Sequence, residues 1–337
     1  MRRLIAPATL ERILSEARRV RALVAGDLML DRYLWGNVRR ISPEAPVPVV
    51  ELERETETPG GAANTARNLR VLGAETRVLG LTGKDPEGKR LRKLLCGEGI
   101  GCSGLIETAE RPTSVKTRIV AGNQQVLRLD KEATEPPSPR LIRRLRRQFE
   151  EEAEGADAVI LADYGKGVLS QELLDHIRNW CRPRAVWLSL DPKPVHDLDL
   201  SGLSLITPNR REAFELAGRR DGCKKGVPPL EDAELLETVR TLQEQFLPAI
   251  LLVTLGEQGM LLCRRGEPPR HIPTAAREVY DVSGAGDTVI AAFTLAIAAG
   301  ASPLEAAAFS NLAAGVVVGK IGAAAAAPEE LRQALSA

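Results

Sequence analysis

Arg21-Ala22-Leu23-Val24-Ala25-Gly26 is a run in which everything after the arginine is small or apolar. It has strand length and no polar alternation, as a strand buried on both faces requires. Five similar runs follow, at 76–81, 158–162, 185–190, 204–207 and 250–254. Stretches with helical periodicity separate them, among them 139–152 and 230–245. Alternating strands and helices predict an α/β fold, a mostly parallel central sheet flanked by helices. Residues 1–21 read as an amphipathic helix interrupted by Glu11 and Glu16, not as a signal peptide.

Two regions break the rhythm. Residues 33–58 are rich in β-branched residues and carry Pro43, Pro46 and Pro48, and residues 112–130 alternate polar with apolar. Alternation marks half-buried strands, so these pieces predict a small β-sheet lid. Its open face needs covering by substrate, by a second subunit, or by both.

With 44% hydrophobic and 27% charged residues, the chain can build a core and is not a disordered one. Forty-six basic against 45 acidic residues, and 3% aromatics, argue against a nucleic-acid or anionic-membrane surface. The longest apolar stretch, 288–301, is too short to span a bilayer. Cys96, Cys102, Cys181, Cys223 and Cys263 form no CxxC pair, and His176, His196 and His271 lack ligand spacing. This excludes a zinc-type centre and fits free thiols in a reducing, cytoplasmic setting.

The sharpest chemical signal is Asp281-Val282-Ser283-Gly284-Ala285-Gly286-Asp287-Thr288, just before a helix-compatible segment. Small residues there leave backbone N–H groups open to an anion. An aspartate inside such a cradle repels phosphate, but it makes sense as the acceptor of a proton from an attacking hydroxyl. A plain glycine-rich helix start is the competing reading. Pro59-Gly60-Gly61-Ala62-Ala63-Asn64 offers close backbone approach and an amide for a hydroxyl, or again only a helix start. Asp27 and Asp31, directly after the first strand, are two carboxylates able to grip sugar hydroxyls. No GxGxxG is present there, so a dinucleotide site is not expected. Residues 83–90 imitate a P-loop, but Arg90 stands where the Ser/Thr should be, so they read as a turn opening a helix. The basic run 140–147 reads as a solvated helix face with Arg146–Glu150 and Arg147–Glu151 pairs.

Taken together, these motifs resemble the PfkB (ribokinase-like) carbohydrate kinase family over nearly the whole chain. Gly60-Gly61 with Asn64 matches its early diglycine motif, and Gly284-Ala285-Gly286-Asp287 its late GAGD motif. The resemblance implies that Asp287 is the catalytic base, that Gly284, Ala285 and Gly286 form the anion hole, and that Asp31 and Asn64 hold the sugar. It implies a nucleotide site at Lys193, Asn209, Arg210, Arg211, Glu212, Thr254, Gly256, Gly259 and Asn311, with Glu212 serving the metal. Segments 40–49, 123–125, 163–167 and 315–320 resemble the heptose-7-phosphate kinase branch. That implies phosphorylation of the anomeric hydroxyl of D-glycero-β-D-manno-heptose 7-phosphate, for ADP-heptose and lipopolysaccharide core synthesis. ATP and Mg²⁺ are implied, with K⁺ as a further candidate. Lys116, Arg118, Arg128 and Lys166 are candidates to hold the 7-phosphate. The family's lid often clasps a homodimer, which is expected here as well.

With its end at Ala337, the chain is expected to be a single-function kinase domain over 1–337, without the nucleotidyltransferase domain of the bifunctional form. Val282 and Ser283 depart mildly from the family's usual Thr, and the alanines 323–327 replace its usual Thr and Ser. The second departure removes side chains that shape the cation's surroundings. Two other functions remain open at this point: a kinase for ribose, fructose or fructose 6-phosphate, and a sugar- or nucleotide-binding regulator without catalysis.

Overall fold

In the computed structural model, which describes residues 5–122, 124–195, 197–222, 226–276 and 278–336, the chain enters through helix α1 (Pro7–Ala17) and strand β1 (Arg21–Gly26). It turns at Asp27 directly into β2 (Leu28–Ile41), which pairs with β3 (Pro48–Gly61). Then come α2 (Ala62–Val71), β4 (Glu75–Gly83), α3 (Pro86–Gly97), β5 (Gly101–Thr108), β6 (Ser114–Ala121) and β7 (Gln124–Lys131). The second half holds α4 (Pro139–Ala153), β8 (Ala158–Ala162), α5 (Gln171–Cys181), β9 (Trp187–Asp191), β10 (Leu205–Ile206), α6 (Arg210–Leu216) and α7 (Ala233–Phe246). It closes with β11 (Ile250–Thr254), β12 (Met260–Arg264), β13 (Arg270–Ile272), α8 (Ala285–Ala298), α9 (Pro303–Val317) and α10 (Pro328–Ser336).

The described strands form two sheets. The larger has the order β13-β12-β11-β10-β9-β8-β1-β4-β5, parallel except for β12 and β13; the smaller has the order β3-β2-β6-β7. Strand β1 shows why the apolar runs lack alternation. Ala22 and Val24 face one core, with Leu69, Ile290, Phe293 and Phe309, while Leu23 and Ala25 face the other, with Phe149, Leu174, Phe214 and Leu242. Helices cover both faces, and each such valine, leucine, isoleucine or phenylalanine withdrawn from water contributes roughly 1.5–3 kcal/mol. Strand order reverses at β1, between β8 and β4, so a cleft opens at the carboxyl ends there.

The lid is longer than expected. β2 starts at Leu28 rather than near residue 33, and β3 runs through Gly61. The cause is the junction at Gly26, whose φ of +151° and contact with Ala162, where a Cβ would lie 2.1 Å from the carbonyl oxygen, send the chain out of the large sheet at once. Strand β9 starts at Trp187, because Ala185 is left-handed (φ 53°) after a short 3₁₀ turn. Strands β5, β12 and β13 were not anticipated. Residues 83–90 are a helix start, with Asp85 accepting from the Gly88 amide at 2.8 Å. On α4, Arg147 meets Glu151 at 4.0 Å, but Arg146 goes to Glu172 (2.8 Å) and Glu150 to His176 (3.1 Å), replacing the expected Arg146–Glu150 pair. The described cysteines are free. Asn123, His196 and Cys223 lie outside the described residues. No described helix is long and apolar enough to cross a membrane.

Candidate active site

The cleft is organised from Asp27. Its buried carboxylate accepts from the amides of Tyr164 (2.9 Å), Lys166 (2.9 Å) and Val168 (3.1 Å), so it anchors the loop after β8. This corrects the expectation that Asp27 joins Asp31 in gripping sugar: its oxygens are occupied by backbone.

Asp287 lies in the first turn of α8, where amides have no helical acceptor behind them. Gly284 caps this helix with φ 77°, and a Cβ there would sit 2.7 Å from the Asn64 amide nitrogen. Ala285 turns its N–H to the Val282 carbonyl at 3.2 Å, which removes it as an anion-hole donor. Gly286 and Asp287 supply the open amides. The Asp287 carboxylate receives the Asn64 Nδ2 at 2.6 Å on one oxygen and the Tyr164 hydroxyl on the other. Burial pushes Asp287 up to about 6; the Asn64 and Tyr164 hydrogen bonds and Lys116 oppose that rise, and Asp31 adds to it. A base of this strength suits proton acceptance near neutrality.

Asp31 projects from β2 and is held by Arg118 of β6 at 2.7 Å. Gly60 faces it across the strands, and a Cβ there would lie 2.6 Å from the Asp31 carboxylate. The diglycine thus makes room for a neighbouring side chain as well as for a ligand. Lys116, two residues before Arg118 on β6, makes no ion pair among the described residues and lies 5.8 Å above the Tyr164 ring. Burial lowers its pKa against the pull of Asp31, so an incoming anion would relieve an incompletely compensated cation. Lys166 is paired with Glu132 (2.6 Å) and Arg128 with Asp130 (2.9 Å), and Arg128 lies on the exposed strand β7. Of the four candidate cations, Arg118, Lys166 and Arg128 are each paired with a carboxylate, whereas Lys116 alone has no such pair among the described residues.

Beyond Asp287 lies a cavity of about 540 Å³. It includes the expected Thr254, Gly256, Gly259, Ala285, Gly286 and Asn311, and its walls are Val279, Val282, Val289 and Ala314. Asn311 braces it, donating to the Pro273 carbonyl at 2.6 Å. Asn209 and Glu212 cap α6 reciprocally (3.0 Å each way), and Glu212 also takes Lys193 at 2.9 Å. Arg210 does not line this site: it pairs with Asp221 (2.7 Å) and Asp232 (2.8 Å) and lies over Phe214. Arg211 is solvent-exposed and pairs with Glu215 at 2.6 Å. The capping turn points both arginines away from the cavity.

Two residues had not been singled out from sequence. The sequence carries Tyr164 only within a segment that resembles the heptose branch, although its place just past a parallel strand is a usable signal. Asp191, at the end of β9, accepts from Thr207 at 2.9 Å. Burial raises it well above the usual carboxylate range, and Glu212 and Asp287 add to the rise. Asp191 and Glu212 thus bring two carboxyls together beside Lys193, with Asp287 near them. No described group of three or more side chains forms a metal site alone. Mg²⁺, though, characteristically takes one or two carboxylates together with phosphates and water, and this hard-oxygen surplus fits that habit.

The pfkB family carbohydrate kinase description matches residues 21–330. The bifunctional protein HldE of Pelobacter propionicus is 41% identical over 97% of this chain and 66% of its own length. HldE of Magnetococcus marinus is 44% identical over 93% of this chain and 63% of its own, so the chain spans less than two thirds of these relatives' length. Among solved structures, Arabidopsis thaliana ribokinase complexed with ribose and ATP superposes with a TM-score of 0.73 at 20% identity, over 94% of this chain and 99% of that one. Escherichia coli phosphofructokinase-2 in complex with potassium gives 0.75 at 19%, over 94% and 98%. These two show a ribokinase-like fold. With the described sheets, the glycine-cradled Asp287 and a family match from residue 21 to residue 330, the chain belongs to the pfkB family of carbohydrate kinases.

Proposed function

We propose that this chain transfers the γ-phosphoryl group of ATP to the anomeric hydroxyl of D-glycero-β-D-manno-heptose 7-phosphate, giving the 1,7-bisphosphate and ADP. The observation that carries it is Asp287, buried in a helix's first turn between a nucleotide-sized cavity and the Asp31–Arg118–Lys116 cluster under the lid. The sugar O1 forms the new bond to phosphorus, the bond from the γ-phosphorus to the ADP oxygen breaks, and the O1 proton passes to Asp287. Open amides at Gly286 and Asp287 meet the transferring phosphate. Glu212, with Asp191 beside it, would hold Mg²⁺, which supplies charge neutralisation on the phosphates. Lys116 and Arg118 would meet the 7-phosphate. The resembling branch segments and the HldE relatives support heptose 7-phosphate over other sugars, and so support a role in cytoplasmic ADP-heptose supply for lipopolysaccharide core.

A homodimer through the lid belongs to the same reading. Leu52, Leu127 and Leu129 are 58%, 50% and 53% exposed on the lid, a density of bare leucine that a second subunit would cover.

The test is ADP release from ATP and Mg²⁺ with heptose 7-phosphate, unphosphorylated heptose, ribose, fructose and fructose 6-phosphate, each with K⁺ and with Na⁺. Selective turnover of heptose 7-phosphate is expected. Preference for another sugar would refute the substrate while keeping the base. ATP binding with no transfer to any of them would refute catalysis on these sugars.

A further inference from the structure

We propose that Tyr164 is a positioning residue for phosphoryl transfer: its hydroxyl holds Asp287 ionised and oriented to receive the sugar proton. This rests on Asp287 being the base, as argued above.

The geometry begins with the loop. Three of its amides, on Tyr164, Lys166 and Val168, are fixed to the single buried carboxylate of Asp27, and Gly165 N–H is fixed to Asp163 at 2.8 Å. Tyr164 therefore leaves a backbone with little freedom. Its hydroxyl reaches Asp287 Oδ1, while Asn64 reaches Oδ2 from α2. Each oxygen so receives one protein donor and keeps one lone pair for the substrate. The direction of the tyrosine bond is fixed by chemistry. Burial, together with the charges of Asp287, Asp191 and Asp31, holds the phenol well above its ordinary value, so Tyr164 keeps its proton and donates.

A donor to the charged form of a buried acid favours that form. Burial alone would neutralise Asp287 and spoil it as a base; the tyrosine and Asn64 oppose this. The other charged groups facing Asp287 are Asp31 of β2, itself paired with Arg118, Lys116 of β6, and Asp191 of β9, with Glu212 and Lys193 behind it. None of them is altered by Tyr164→Phe, which keeps the ring beneath Lys116 and removes only the donor.

The experiment uses the wild type, Tyr164→Phe, Asp287→Asn and the double variant. First, kcat/KM for heptose 7-phosphate is measured from pH 5 to 9. The wild-type acid limb is expected near the Asp287 value of about 6. In Tyr164→Phe it should move up by about one pH unit, so activity at pH 6 relative to pH 9 falls roughly five-fold, with KM for ATP unchanged. Second, thermal unfolding without substrate is followed against pH. Asp287 has a folded-state pKa above its unfolded 3.8, so its protonated form stabilises at low pH and that stability is lost as pH rises to about 6. The tyrosine variant extends the loss upward. Its Tm gap from wild type should widen between about pH 6 and 7.5, and should stay constant when Asp287 is Asn in both. An unmoved acid limb, or a gap that is independent of pH in both backgrounds, overturns the proposal. If the wild type fails to phosphorylate heptose 7-phosphate, the substrate reading falls, and the unfolding cycle still decides on Tyr164.

Discussion

On the lid side of Asp287, charged groups are spaced to meet other charges: Asp31 lies 2.7 Å from Arg118, with Lys116 beside them. On the far side, a cavity of about 540 Å³ is walled by valines and alanine, and its one amide, Asn311, is spent on the Pro273 carbonyl. The first half can reject a ligand through a missing charge, because a buried ion left without its partner is costly. The second, apolar apart from Thr254, Glu257, Thr274 and Asn311, rejects chiefly by shape, and one methylene in an apolar pocket discriminates weakly. The proposed reaction would use both: a sugar phosphate told apart from many similar sugars, and a nucleotide that needs less discrimination.

That contrast can be broken at four points. Asp287→Asn sits at the boundary and should cost about 10²–10⁴ in kcat, leaving both KM values nearly unchanged, as steady-state kinetics would show. Lys116→Met should act on the charged half alone. KM for heptose 7-phosphate should rise roughly 10–100-fold, the loss of one charged contact, while unphosphorylated heptose is handled as before. Equal loss on both sugars would remove Lys116 from the phosphate site. Gly315→Val tests the apolar half, because a Cβ there already meets the Ala275 and Ala276 backbone at 3.0 Å. KM for ATP should rise roughly ten-fold with the sugar KM unmoved. The smallest catalytic effect belongs to Leu127→Asp combined with Leu129→Asp on the outer lid. Sedimentation should show a dimer becoming a monomer, with stability changed by about 0.5 kcal/mol or less. An unchanged sedimentation coefficient would rule out the leucine face as the clasp.

Six of the nine described strands of the large sheet were legible, because they are buried and carry that fact as unbroken apolar runs, whereas β5, β12 and β13 were not. Asp287 and Asn64 were legible too, since small residues at fixed spacing are a local signal. What stayed hidden depends on where side chains turn. Asp27 and Asp31 are the same residue type four positions apart, yet one serves a loop and the other faces the cleft. Arg210 follows Asn209 directly, but the helix cap it starts turns it outward to Asp221. Tyr164 meets Asp287 across 123 residues of chain, a meeting decided only when β8 and α8 come together. Lid boundaries slipped because a single residue, not a loop, joins β1 to β2.

That joining residue has one more consequence. Three amide protons, on Tyr164, Lys166 and Val168, end on the carboxylate of Asp27, at the very point where the central strand becomes the lid. In deuterated water they should share one protection factor, whatever their intrinsic rates, because freeing any of them means moving the same side chain. That common protection reports how often the root of the lid lets go.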